Sequence, residues 1–99
     1  MQQTSPTAAS EEQLNNTSET LVKLHARMDV ANQSLATLKQ QMAAQGLTVR
    51  GDIVAAESRA YSYFQMADRA FQGRDLESAQ KNIDRTEQEL TKIEHFLSR

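Results

Sequence analysis

The side chains best suited to acid–base or metal chemistry in this chain are His25, His95 and thirteen Asp and Glu residues; cysteine is absent. Metal sites in helical bundles use Glu-x-x-His or His-x-x-x-His, which put two ligands on one helix face. Neither spacing occurs around His25 or His95. General acid–base catalysis needs a positioned pair, and each histidine stands alone in the pattern. His95 falls near the end of a helix, where positive charge is favoured, and His25 lies beside an apolar seam. The carboxylates follow the spacing of surface ion pairs, as in Glu77–Lys81 and Arg85–Glu89 at i,i+4. Without cysteine there are no disulfides, thiol nucleophiles, zinc knuckles or iron–sulfur clusters. The expectation is a non-enzyme with no catalytic, cofactor-binding or metal residues.

Short motifs add little. "QGLTVRGD" (45–52) has two glycines, but no strand precedes it and the phosphate-loop spacing is missing. Its "RGD" (50–52) matches an integrin-binding tripeptide and is placed to be a turn and cap. Asn15, Asn16 and Asn32 begin Asn-x-Ser/Thr sequons, weak evidence for glycosylation in a chain rich in these residues. The formal net charge of −2, with acids and bases interspersed, lacks the basic face that nucleic acid requires. The longest apolar run, "IVAA" (53–56), is far too short to span a membrane. The polar start "MQQTSPTAAS" has no signal-peptide pattern, and it suits either a cytoplasmic protein or an exported one after signal removal.

The elements that carry these residues are helical. Residues 1–9 read as a polar tail, and 10–99 as one domain with helices at about 11–45, 52–72 and 75–98. "SEEQ" (10–13) is a capping box, with Glu11 and Glu12 at the favourable end of the helix dipole. Leu14, Thr17, Leu21, Leu24, Met28, Ala31, Leu35, Leu38 and Met42 then form a heptad seam. Gly46 followed by Leu47 reads as a left-handed stop. Asp52 or Thr48 is expected to cap the second helix, Gly73 to stop it, and Asp75 to cap the third. That helix repeats the rhythm at Leu76, Ala79, Ile83, Thr86, Leu90, Ile93 and Leu97. No strand pattern occurs. "AFQGRDLESAQKNI" (70–83) resembles the hairpin of a tetratricopeptide repeat, but only one unit is present and its glycine is one residue early. The fold class is therefore all-α: an antiparallel three-helix bundle running up, down and up, with coiled-coil-like heptad packing and a long first helix.

Four of the five aromatic residues crowd into "YSYFQMADRAF" (61–71). Ile53, Ala56, Ala60, Phe64, Ala67 and Phe71 share one helix face and form the core stripe. Tyr61 and Tyr63 fall at its two edges, with Met66 and Ala70 further round. The first helix also spans roughly 50 Å at 1.5 Å per residue, against roughly 33–36 Å for each of the others. A second helix folding back from Gly46 is expected to end near residue 25, leaving Leu14, Leu21 and Leu24 projecting. The reading is a non-enzymatic interaction or assembly module, a homodimer or a binder of a partner helix. Its candidate contacts are Leu14, Leu21, Leu24, Tyr63, Met66 and Ala70. The alternative is a bundle that binds a small apolar ligand among Ala56, Ala60, Ala67 and the tyrosines.

Overall fold

A computed structural model of the protein describes residues 10–98, so the expected tail at 1–9 lies outside the described residues. Three helices, α1 (Glu11–Ala43), α2 (Gly51–Gln72) and α3 (Leu76–Leu97), form an up-down-up bundle, with no strand among the described residues.

Each helix end has a local cause. At the start of α1, Ser10 Oγ accepts from the Gln13 amide and Gln13 Oε1 accepts from the Ser10 amide, both at 3.0 Å. This reciprocal box satisfies two amides that the first turn would otherwise leave bare. At the other end, the Leu47 amide donates to the Met42 carbonyl at 2.8 Å and the Gly46 amide to the Ala43 carbonyl at 3.0 Å. Gly46 sits at φ 77°, the left-handed conformation that this closure requires and that glycine adopts without steric cost. The regular helix consequently ends at Ala43, two residues before the expected boundary.

The second helix departs from expectation in its N-cap, whereas the third is capped as expected. Arg50 occupies the N-cap of α2 and makes no side-chain cap bond. Neither Thr48 nor Asp52 takes that position. Asp52 instead lies inside the first turn, where its carboxylate accepts from Arg50 Nε at 3.1 Å and Nη2 at 2.7 Å. At the end of α2, Gly73 has an ordinary φ of −85°, and Arg74 takes the left-handed φ of 62°. The closing bonds run from the Arg74 amide to Phe71 and from the Asp75 amide to Ala70, at 2.9 and 2.8 Å. Asp75 then caps α3, its Oδ1 accepting from the Ser78 amide at 3.1 Å.

α2 and α3 make the most extensive contact, and α1 packs more against α3 than against α2. Side-chain size accounts for this. Ala56, Ala60, Ala67 and Ala79 are buried, and small side chains let two backbones approach closely. α1 brings larger groups, Leu21, Leu24, Met28 and Leu35, which fill the trough along the hairpin and hold its axis further off. The polar residues Asn82, Thr86 and Glu89 are also buried on α3. Thr86 Oγ1 donates to the Asn82 carbonyl at 2.7 Å, which satisfies its hydroxyl within the helix.

The expected overhang is shorter than the sequence suggested. Because α1 stops at Ala43, the 22 residues of α2, roughly 33 Å long, run back to about the level of Leu21. Leu21 and Leu24 are 6% and 2% exposed and belong to the core. They do not project. Leu14 remains half-buried, beyond that core.

Candidate interaction surfaces

The six candidate contact residues do not form one surface. Leu21 and Leu24 are spent on the intramolecular core, and Leu14 lies about two to three turns beyond them. Tyr63, Met66 and Ala70 share a flank of α2. Tyr63 is half-buried, with the Arg85 guanidinium 5.8 Å from its ring centroid, a distance that allows cation–π attraction. α3 thus covers part of the ring that sequence left open. Met66 is 45% exposed and Ala70 half-buried. Tyr61 points to solvent, its hydroxyl accepting from Gln65 Nε2 at 3.1 Å. Phe64 and Phe71 pack against the core, and the His25 ring lies 5.5 Å from Phe64.

Two exposed valines escaped the sequence reading. Val22 and Val30 are 67% and 65% exposed and lie eight residues apart on one line with Ala26. Beside them an open groove runs between α1 and α3, floored by Ala26, Val30, Ala31 and Leu97, with Arg27 and Glu94 at its edge. The i,i+4,i+8 signal of Val22, Ala26 and Val30 was present, but the stronger leucine seam on the same helix hid it.

Charge organises the seat of α1 on the hairpin. Arg27 Nε and Nη2 donate to the two Glu94 oxygens at 3.2 and 2.9 Å, and Arg27 also lies 3.7 Å from Glu87. The Glu94 hydrogen bonds raise the Arg27 pKa further, against a smaller opposing effect of burial. Lys39 Nζ donates to Glu57 at 2.9 Å. In both places the cation is on α1 and the acid on the hairpin.

Within the hairpin, the expected Arg85–Glu89 surface pair is replaced. Glu89 turns inward and accepts from Arg59 Nη2 at 3.1 Å and Lys92 Nζ at 3.3 Å, while Arg85 lies over Tyr63. Burial disfavours the Glu89 carboxylate, but hydrogen bonds and charge from Arg59 and Lys92 outweigh it and hold the pKa below the ordinary value. Asp52 is likewise shifted down, chiefly by the hydrogen bonds from Arg50. The Arg and Asp of the RGD tripeptide thus bind each other.

No group of three or more His, Asp or Glu residues is placed to hold a metal ion among the described residues. No described helix is long and apolar enough to cross a membrane. No protein-family model, curated protein or solved structure matches the chain. The functional reading therefore rests on the geometry of the chain itself.

Proposed function

We propose that the protein is a non-enzymatic assembly module that works by docking an amphipathic helix into the trough of a helical hairpin, with a second copy or a partner helix as the incoming element. The carrying observation is the α1–hairpin arrangement. α1 contributes Leu21, Leu24, Met28, Ala31 and Leu35 to the core from one face, and Arg27 and Lys39 flank that face and meet acids on the hairpin. Regularly spaced apolar anchors with flanking charges are the common means by which a groove recognises a helix. The apolar-ligand alternative draws no support from the alanines it needs, because Ala56, Ala60 and Ala67 are 0%, 2% and 0% exposed.

Solution mass across a concentration range tests the reading, together with binding of a synthetic peptide of residues 11–43 to the intact chain. A mass that rises with concentration, or saturable peptide binding, supports it. A chain that stays monomeric to millimolar concentration and ignores the peptide overturns it.

A further inference from the structure

We infer that self-association of this chain proceeds by exchange of α1, which leaves its own α2–α3 hairpin and seats in the same trough of a second copy. The inference rests on the assembly reading above and names the partner and the mode. Three features favour exchange over side-by-side contact.

The outer surface is poor in contiguous apolar area. Val22 and Val30 lie on α1, Leu47 in the connection, and Val54 and Tyr61 on one side of α2. Met66 is turned about 140° from Tyr61 around the same helix. Scattered side chains of this kind do not make the roughly 800 Å² per partner of a stable interface. The apolar seam of α1 is already matched to the hairpin.

That interface also has a direction. Arg27 pairs with Glu94 and Glu87, and Lys39 with Glu57, so α1 supplies the cations and the hairpin the acids. The code reads the same in cis and in trans, and it penalises α1 against α1.

The connections differ as well. Only Gly73, Arg74 and Asp75 link α2 to α3, whereas the longer run 44–50 links α1 to α2; both are closed by backbone bonds, the second by the Gly46 and Leu47 amides, and Val49 of the second lies in the core. α1 is thus the element on the longer connection, and it can leave once the Gly46–Leu47 closure and the Val49 contact open, with the α2–α3 turn left intact. Exchange conserves the interface, so its equilibrium follows the effective concentration of α1 beside its own hairpin, of roughly millimolar order for a short link. Wild-type dimer is expected as protein concentration approaches that range.

Charge reversal tests this. One variant carries Arg27→Glu and Lys39→Glu, and the other carries Glu57→Lys, Glu87→Lys and Glu94→Arg. Each has repelling ties in cis, and an exchanged heterodimer restores attraction at both seats. Native mass spectrometry of the mixture, with circular dichroism confirming folded chains, should show heterodimer at least tenfold above either homodimer. A control chain bearing all five substitutions restores attraction in cis as in trans and, like the wild type, should stay monomeric at micromolar concentration, where the mixed variants form heterodimer. Folded variants that remain monomeric on mixing overturn the inference. A wild-type dimer combined with no heterodimer overturns exchange alone, and a wild-type monomer to millimolar concentration with no heterodimer and no peptide binding overturns the assembly reading too. Should repulsion unfold the single variants, isotope-labelled and unlabelled wild type mixed near millimolar concentration decide the matter. Mixed-mass dimer that forms only as slowly as α1 undocks supports exchange; rapid mixing, or none, overturns it.

Discussion

Arg74 is the residue whose conformation is least suited to its type. It holds φ 62°, where a Cβ crowds the following carbonyl at a cost of roughly 1–2 kcal/mol. Gly73, one position earlier, has φ −85° and gains nothing from lacking a side chain. This accounts for the glycine that looked one residue early against the repeat hairpin: the turn closes on Arg74. The double substitution Gly73→Ala, Arg74→Gly moves the glycine to where the turn needs it. A Cβ at position 73 meets only backbone oxygens at 3.6 and 3.7 Å, an ordinary contact. The expected result is a stabilisation of about 1 kcal/mol, read as a rise in the denaturant midpoint at unchanged slope. A fall in the midpoint would mean that the Arg74 side chain contributes more than its backbone strain costs. Glu89 gives a second test. Its folded pKa lies below the ordinary 4.5, so the unfolded chain binds more protons in that range. The stabilisation is complete above about 4.5 and is lost as pH falls through the lower folded value. Glu89→Gln should cost about 1–2 kcal/mol at neutral pH and flatten the acid limb of the stability curve. An unchanged acid limb would assign that limb to other carboxylates.

Among the elements, helix existence and the N-caps of α1 and α3 were legible, because capping and heptad spacing are local properties, while α2 starts at Arg50 rather than at Thr48 or Asp52. Ser10, Gln13, Gly46 and Asp75 do what their spacing implies. What was not legible depended on partners distant in sequence. Glu89 faces Arg59 rather than Arg85, and Tyr63 is partly covered by Arg85; both contacts need the register of α2 on α3. The length argument for Leu21 and Leu24 failed because α1 ends at Ala43 and α2 starts at Gly51, both earlier than expected, and the two shifts together carry the antiparallel partner back past Leu24 to about Leu21. Core and overhang now differ measurably on one helix. Leu24→Ala removes a side chain that is 2% exposed and should cost about 3–5 kcal/mol. Leu14→Ala, half-buried beyond the core, should cost less than about 1 kcal/mol. Equal costs in chemical denaturation would show that Leu14 is packed as firmly as Leu24.

For the whole molecule, the radius of gyration of 16.7 Å exceeds the roughly 13 Å of a compact domain this long. The bundle is a rod, and its stability cannot be uniform along the axis. From Leu21 to Met42, α1 lies against the hairpin with its seam in or against the core. From Glu11 to about Thr20 it has no buried residue, and "NNTS" (15–18) forms helix poorly. Backbone hydrogen bonds there are held by the capping box and by helix propagation alone, since a helical turn without tertiary burial is marginal in water. Amide hydrogen exchange should therefore divide α1. Residues 15–20 are expected to exchange through local fraying with little protection. Those of 28–42, together with the buried positions of α2 and α3, should approach protection set by global unfolding. Exchange of α1 between copies leaves this pattern intact, because the seat is the same in cis and in trans. A side-by-side partner on the overhang would instead protect residues 15–20 as concentration rises. Measuring exchange at two protein concentrations thus separates the two forms of assembly without any substitution: concentration-dependent protection confined to 15–20 would argue for a partner on the overhang and against the swapped arm.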